Sequence, residues 1–436
     1  MKKLILLYIL ITSSLAFSQQ TKYQKIDSLL TYLNVNNKFM GSIALRENDK
    51  VVFAKAYGYA DVATNKKMDA NTKLKIGSIT KTFTAVMTMQ LIEEKKLNLD
   101  TKLSKFYPNI PNADKITIHH LLHHRTGIPD YLNDDETFGE KIYIDNSRTE
   151  MIDRITKYES AFEPNSKHKY SNSNYYLLGA IIETITKKSF ADNLNSRIIK
   201  KLNLKNTLIP TKTNIQNNES FSYVFDGKSW ELQSEWNNSL AFAAGDIAAT
   251  PSDLTAFLDG LFNGKLVSNA SLEQMKTMED NYGKGLFTMP FDGKKFYGHN
   301  GGIESFRAVV GYNEEEKIGL SLIVNGDNFN RNDIMIGVLS LYYEKPYTFP
   351  NLKDFAVSKE VLAKYIGTYS SPTFPMKIMV TEENGSLFAQ ATGQSSFPLS
   401  AKSETEFVFL AAGIKIVFAE NQLTLKQGAE YVLKKE

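Results

Sequence analysis

A chain of 436 residues, 42% apolar and 23% charged, has material for two or three packed units at roughly 150 residues each, and its composition does not suggest disorder. Its 51 Lys and Arg stand against 48 Asp and Glu. They interleave along the chain and leave no electrostatic footprint for nucleic acid or an anionic membrane. Cysteine is absent, which excludes disulfide scaffolds, thiolate metal sites, iron–sulfur clusters and a cysteine nucleophile.

Lys2 and Lys3 precede an apolar run, Leu4 to Ile11, and a small-residue site at Ala16-Phe17-Ser18. This is the pattern of a secretory signal over residues 1–18, cleaved after Ser18. The run is too short to span about 30 Å of hydrocarbon, and no later stretch is long and apolar enough to do so. The mature chain is therefore expected in the periplasm or outside the cell, with no integral membrane segment.

Apolar positions at Tyr23, Ile26, Leu29, Leu30 and Leu33 predict a helix over 22–35. Strand-like runs follow at Gly41–Leu45 and Val51–Tyr59, split by Glu47-Asn48-Asp49. A helix starting near Ser78 is apolar on nearly every side, which places it in the middle of a domain. Residues 175–186 give a second buried helix after a polar turn, and Thr250-Pro251-Ser252-Asp253 opens a third with a cap and first-turn signature. Strands at Phe306–Tyr312 and Ile318–Val324 are joined by a polar turn, and a last helix runs near Asp333–Tyr343. After the proline-punctuated stretch from Lys345 to Pro350, short alternating strands are divided by Asn384-Gly385, Gly393, Gly413 and Gly428. These divisions predict a large domain over 19–345, a linker over 346–359 and a small antiparallel β-barrel over 360–436.

Three short motifs could carry chemistry. In Gly77-Ser78-Ile79-Thr80-Lys81, a helix beginning at Ser78 puts its hydroxyl at the positive end of the dipole, with Lys81 one turn later on the same face. Burial there lowers the Lys81 pKa and makes a neutral amine able to take a proton. Ser166…Lys169 has the same spacing but no buried helix behind it. Tyr170-Ser171-Asn172 sits at the polar turn feeding the helix at 175–186. Gly298-His299-Asn300-Gly301-Gly302 leads into a strand where glycine lets another backbone approach closely. Each motif is weak alone; their order and settings together are specific.

Together these motifs resemble penicillin-recognising serine hydrolases of the class C β-lactamase, D-Ala-D-Ala carboxypeptidase and family-VIII esterase type, over about 22–345. Thr117 to Pro129, Ala243-Ala244-Gly245-Asp246 and Thr250 to Leu254 are similar to segments of that family. The tail from Tyr365 is similar to the β-barrel often appended to it. The resemblance implies an α+β fold, an antiparallel sheet flanked by helices with an all-helical subdomain, and a C-terminal barrel. It implies Ser78 as acylated nucleophile, Lys81 as its proton partner and Tyr170 as base or leaving-group donor. Asn172, His299, Gly301 and Gly302 would bind substrate, with the N–H groups of Ser78 and Gly302 forming the oxyanion hole. His299 stands where β-lactamases usually carry lysine, which favours peptidase- or esterase-like members. As a cation it would meet a substrate carboxylate.

The expected activity is hydrolysis of an amide or ester of the D-Ala-D-Ala carboxypeptidase or D-aminopeptidase kind. Alternatives are a family-VIII-type esterase, a weak β-lactamase, or a silent module that binds penicillin or peptidoglycan. The expected partner is a small-molecule or peptide substrate, peptidoglycan fragments included. His119/His123 and His120/His124 have the i, i+4 spacing of zinc ligands. No glutamate lies between either pair and no cysteine is available, so neither a metal nor an organic cofactor is expected. A Ser-His-Asp hydrolase is disfavoured because the chain has no Gly-x-Ser-x-Gly elbow.

Overall fold

The computed structural model describes residues 22–134, 139–352, 355–383, 385–394, 396–409 and 412–436; the signal sequence expected at 1–18 lies outside them. By contact density the chain divides into two units. One takes Met40–Val224 and Trp230–Gly326; the other takes the described residues up to Phe39, Phe225–Ser229 and Asp327–Glu436.

Helix α1 (22–35) leads into β1 (Phe39–Glu47), which pairs antiparallel with β2 (Lys50–Tyr57). The first unit is built on their sheet. It continues with β3 (Phe287–Phe291), β4 (Lys294–Ile303), β5 (Phe306–Asn313) and β6 (Ile318–Asp327), and its spatial order is β2-β1-β6-β5-β4-β3. Pro290, which has no N–H to give a ladder, sits on the edge strand β3. In the β4–β5 register Gly301 faces Ala308 and Gly302 faces Arg307.

Helix α2 (Thr80–Glu93) is buried from Thr80 to Leu91. The sequence marks it as apolar all round, and the structure explains its threonines. Thr82 Oγ1 donates to Gly285 O at 2.7 Å and Thr84 Oγ1 to Ala243 O at 2.8 Å, so neither hydroxyl is left unpaired in the core. Phe83 stacks on Phe257 at 3.7 Å between centroids, joining α2 to the helix Pro251–Phe262. That helix opens as its sequence predicts, with Pro251 in the first turn and Thr250 Oγ1 accepting the N–H of Asp253. Ile118–Leu122 forms the short helix α3, and Asn172–Thr186 forms the helix α4, buried from Ser173 to Ile182.

In the second unit, eight antiparallel strands between Gly367 and Lys435 close into a barrel. The closing pairs are Tyr369↔Lys435 and Ser370↔Lys434, and closure leaves no open sheet edge. Its core includes Ile378, Val380, Leu387, Phe407 and Leu433, and the Tyr365 ring stacks on Phe418 at 4.2 Å. The expected fold class is the observed one.

Candidate active site

Gly77–Ile79 makes one 3₁₀ turn ahead of α2, so the α-helix proper begins two residues after Ser78. Gly77 has φ +51°, and a Cβ there would lie 2.7 Å from both N and O of Gly302. A Cβ on Gly301 would lie 1.9 Å from Ile76 O and 2.9 Å from Ser78 N. The strand and the serine turn therefore touch backbone to backbone, and side chains are excluded from both faces. This contact brings the backbone of Gly301 and Gly302 against that of Gly77 and Ser78.

Lys81 is wholly buried. Its Nζ lies 2.9 Å from Ser78 Oγ, 2.7 Å from Asn172 Oδ1 and 2.7 Å from Ala244 O. The Ala243-Ala244 carbonyls thus serve Thr84 and Lys81 in turn. They follow a break at Phe242, whose φ of 40° and ψ of −132° fall outside the helical region in the segment Asn238–Gly245. Burial lowers the Lys81 pKa from 10.5 to about 7, against the pull of Asp130. At neutral pH a large fraction of this lysine is a free amine within hydrogen-bond reach of a serine hydroxyl.

Tyr170 precedes α4 and its hydroxyl shares a hydrogen bond with Ser78; burial raises its pKa further from neutrality. Lys81 Nζ stands 5.0 Å from the centre of its ring. Of the two groups near Ser78, only Lys81 loses its proton readily near pH 7, and the Tyr170 hydroxyl stays a donor. Asn172, first residue of α4, donates through Nδ2 to Asp130 Oδ2 at 2.7 Å. Asp130 also caps the turn Tyr131–Asn133 by accepting from Leu132 N. The sequence reading missed Asp130.

It also missed what His124 does. Its φ is +54°; its carbonyl accepts the N–H of Lys169 at 2.9 Å and its Nδ1 the N–H of Ser171 at 3.2 Å. Its ring packs on Tyr170 at 4.3 Å between centroids. His124 therefore positions the segment that carries Tyr170. No sequence signal pointed there, because the four neighbouring histidines suggest metal spacing instead.

His299 needs a correction. It is 1% exposed, its Nε2 meets Tyr282 Oη at 3.0 Å and its Nδ1 meets Asn300 O at 2.5 Å. Burial lowers its pKa to about 3, so it is neutral and is no cation for a substrate carboxylate. Gly301 of that motif packs closely against the backbone of the serine turn. The cation beside Gly302 is Arg307, whose Nη1 lies 3.7 Å from where a Gly302 Cβ would be.

A cavity of about 360 Å³ is lined by Tyr143, Thr211, Lys212, Phe221 and residues 232–237. Its wall is braced to both sides of the serine turn. Trp236 N donates to Glu304 Oε1 at 2.9 Å, and Lys75 Nζ donates to the same oxygen at 2.6 Å.

Residues 38–339 match the family model described as Beta-lactamase. The chain is 24% identical to Penicillin-binding protein 4* of Bacillus subtilis, over 92% of this chain and 94% of that one. It is 28% identical to the teichoic acid D-alanine hydrolase of Staphylococcus aureus, over 76% and 80% of the two chains. Among solved structures, the D-amino acid amidase of Ochrobactrum anthropi SV3 superposes with a TM-score of 0.66 at 26% identity, over 74% of this chain and 99% of the amidase. An octameric penicillin-binding protein homologue from Pyrococcus abyssi gives a TM-score of 0.66 at 25% identity and spans 94% of this chain and 99% of its own.

Proposed function

Because the chain belongs to the beta-lactamase family and is a serine hydrolase of that superfamily, we propose that it hydrolyses D-alanyl or related D-aminoacyl amides and esters through an acyl-Ser78 intermediate. The observation that carries this reading is Lys81 Nζ at 2.9 Å from Ser78 Oγ, with its pKa lowered to about 7.

Neutral Lys81 takes the hydroxyl proton as Ser78 Oγ attacks the carbonyl carbon. The oxyanion is met by the N–H groups of Ser78 and Gly302, each worth about 3–4 kcal/mol in comparable hydrolases. The Tyr170 hydroxyl protonates the leaving amine or alkoxide and recovers its proton from Lys81. Water then attacks the ester carbon of acyl-Ser78 and gives its proton to the same Lys81–Tyr170 pair, which returns it to Ser78 Oγ as the C–O bond breaks and the acid is released.

The D-configured substrate class is supported by the D-alanine hydrolase and D-amino acid amidase among the similar proteins. A substrate with a free carboxylate, such as a D-Ala-D-Ala terminus, meets Arg307 rather than His299. Export by the segment 1–18 is part of the same reading, and N-terminal sequencing of protein recovered from the periplasm or medium tests it. The substrate class is tested by comparing D- and L-alanine p-nitroanilides and D-alanyl esters. Preference for the D forms is expected, and equal or reversed rates overturn it.

A further inference from the structure

Helix α3 and the segment carrying Tyr282 converge on a second cluster of polar groups. His119 Nε2 lies 3.0 Å from Glu279 Oε1, and His123 Nε2 lies 3.8 Å from the same oxygen. Ligand-type atoms of the three residues all lie within 4.8 Å of one another. The His123 side chain is 0% exposed and its Nε2 has no hydrogen-bond partner. Its Nδ1 faces the Tyr282 carbonyl oxygen at 3.1 Å. A carbonyl only accepts, so the ring proton is on Nδ1 and Nε2 carries a lone pair. That lone pair, on a buried ring, lies 3.8 Å from an oxygen of the half-buried Glu279 carboxylate.

We propose that His119, His123 and Glu279 bind a divalent metal ion of the zinc class, with solvent in the fourth position. Ligand atoms about 2.0–2.2 Å from a tetrahedral ion stand about 3.4 Å apart. The observed 3.0 and 3.8 Å straddle that separation. Two imidazoles and one carboxylate suit zinc, nickel or copper better than magnesium or calcium. A ring N–H given to a backbone carbonyl is the support that fixes a ligating histidine.

Two cations, Arg125 and Lys284, face the cluster, and each is also engaged elsewhere. Arg125 approaches the other carboxylate oxygen, with Nε 3.8 Å from Glu279 Oε2, and also pairs with Asp280. Lys284 Nζ donates to Gln274 O at 2.9 Å. Of the four histidines, His120 is occupied by capping Thr117 N, and His124 holds Ser171. The expectation that the chain holds no metal ion rested on the absence of cysteine and of a glutamate between either histidine pair, whereas Glu279 comes from far downstream. The ion would staple Glu279 to α3. Three residues on, Tyr282 meets His299 and packs against His124 at 4.8 Å. The metal therefore has a structural role, ordering the residues behind Tyr170.

The test is to strip the full-length protein with a chelator and titrate it with Co²⁺, then Zn²⁺, while following Co²⁺ absorption and thermal midpoint. One equivalent of four-coordinate Co²⁺, displaced by Zn²⁺ with a rise in midpoint, is expected. His119→Gln and Glu279→Gln change side chains 28% and 33% exposed; each should weaken Co²⁺ binding at least about tenfold. Far-ultraviolet circular dichroism of the same samples reports an intact fold and stands apart from the metal readout. Absence of binding tighter than about 100 µM, or equal binding by wild type and both variants, overturns the proposal.

Discussion

Lys81 Nζ lies 2.7 Å from Asn172 Oδ1, and this bond sets which way the amide faces. With its oxygen on Lys81, the amide presents Nδ2 to Asp130 at 2.7 Å. Lys81 is thereby coupled through a neutral spacer to a carboxylate. Burial still dominates and holds its pKa at about 7. The reactive form is the free amine, so Ser78 labelling by a fluorophosphonate should rise about tenfold per pH unit below pH 6 and level off above about pH 8. Labelling independent of pH from 5 to 8 would remove Lys81 as the base.

Asp130 raises the Lys81 pKa. Asp130→Asn should therefore move the acid limb of that profile to lower pH. Its plateau should also fall, because the single amide oxygen of an asparagine cannot accept from both Asn172 Nδ2 and Leu132 N, as the two oxygens of Asp130 do. Stopped-flow labelling across pH reads both effects. A limb that stays in place or moves upward contradicts the electrostatic assignment.

Gly301→Ala puts a Cβ 1.9 Å from Ile76 O. Backbone has to move, and the strand and the serine turn should separate. A stability loss of about 1–3 kcal/mol is expected, together with a fall in turnover of about a hundredfold or more as an oxyanion donor is displaced. Urea melts and kcat measure the two separately.

Neutral His299 should add no pH limb between about 5 and 8 to kcat/KM for substrates bearing a carboxylate. Arg307→Gln should instead raise KM for those substrates several-fold and leave uncharged D-aminoacyl amides nearly unaffected. A loss confined to His299→Gln with no effect of Arg307→Gln would restore the histidine as the carboxylate anchor.

These sites differ in how far the sequence announces them. Ser78 and Lys81 are legible because three residues on a buried helix bring hydroxyl and amine together whatever surrounds them. Tyr170 and Asn172 are legible from their turn, and the barrel from its short alternating strands divided by glycine-bearing turns. Asp130 and His124 are not, since each acts through a contact made only when the segment at 124–131 folds onto the start of α4. His299 is found at its position in β4 but misread in charge, because protonation depends on burial, which a motif does not carry. Glu279 reaches the histidines of α3 only through tertiary structure.

The central claim is an activated Ser78, and intact-protein mass spectrometry tests it most directly. Wild type and Ser78→Ala are incubated with a fluorophosphonate and, separately, with a penicillin. Removing one half-buried hydroxyl should change stability by no more than about 1 kcal/mol, so both proteins enter the test folded. A single fluorophosphonate adduct on wild type and none on Ser78→Ala is the result expected, and a lasting penicilloyl adduct would point to the carboxypeptidase side of the substrate range. An unmodified wild type, or an adduct that persists in Ser78→Ala, would contradict the account.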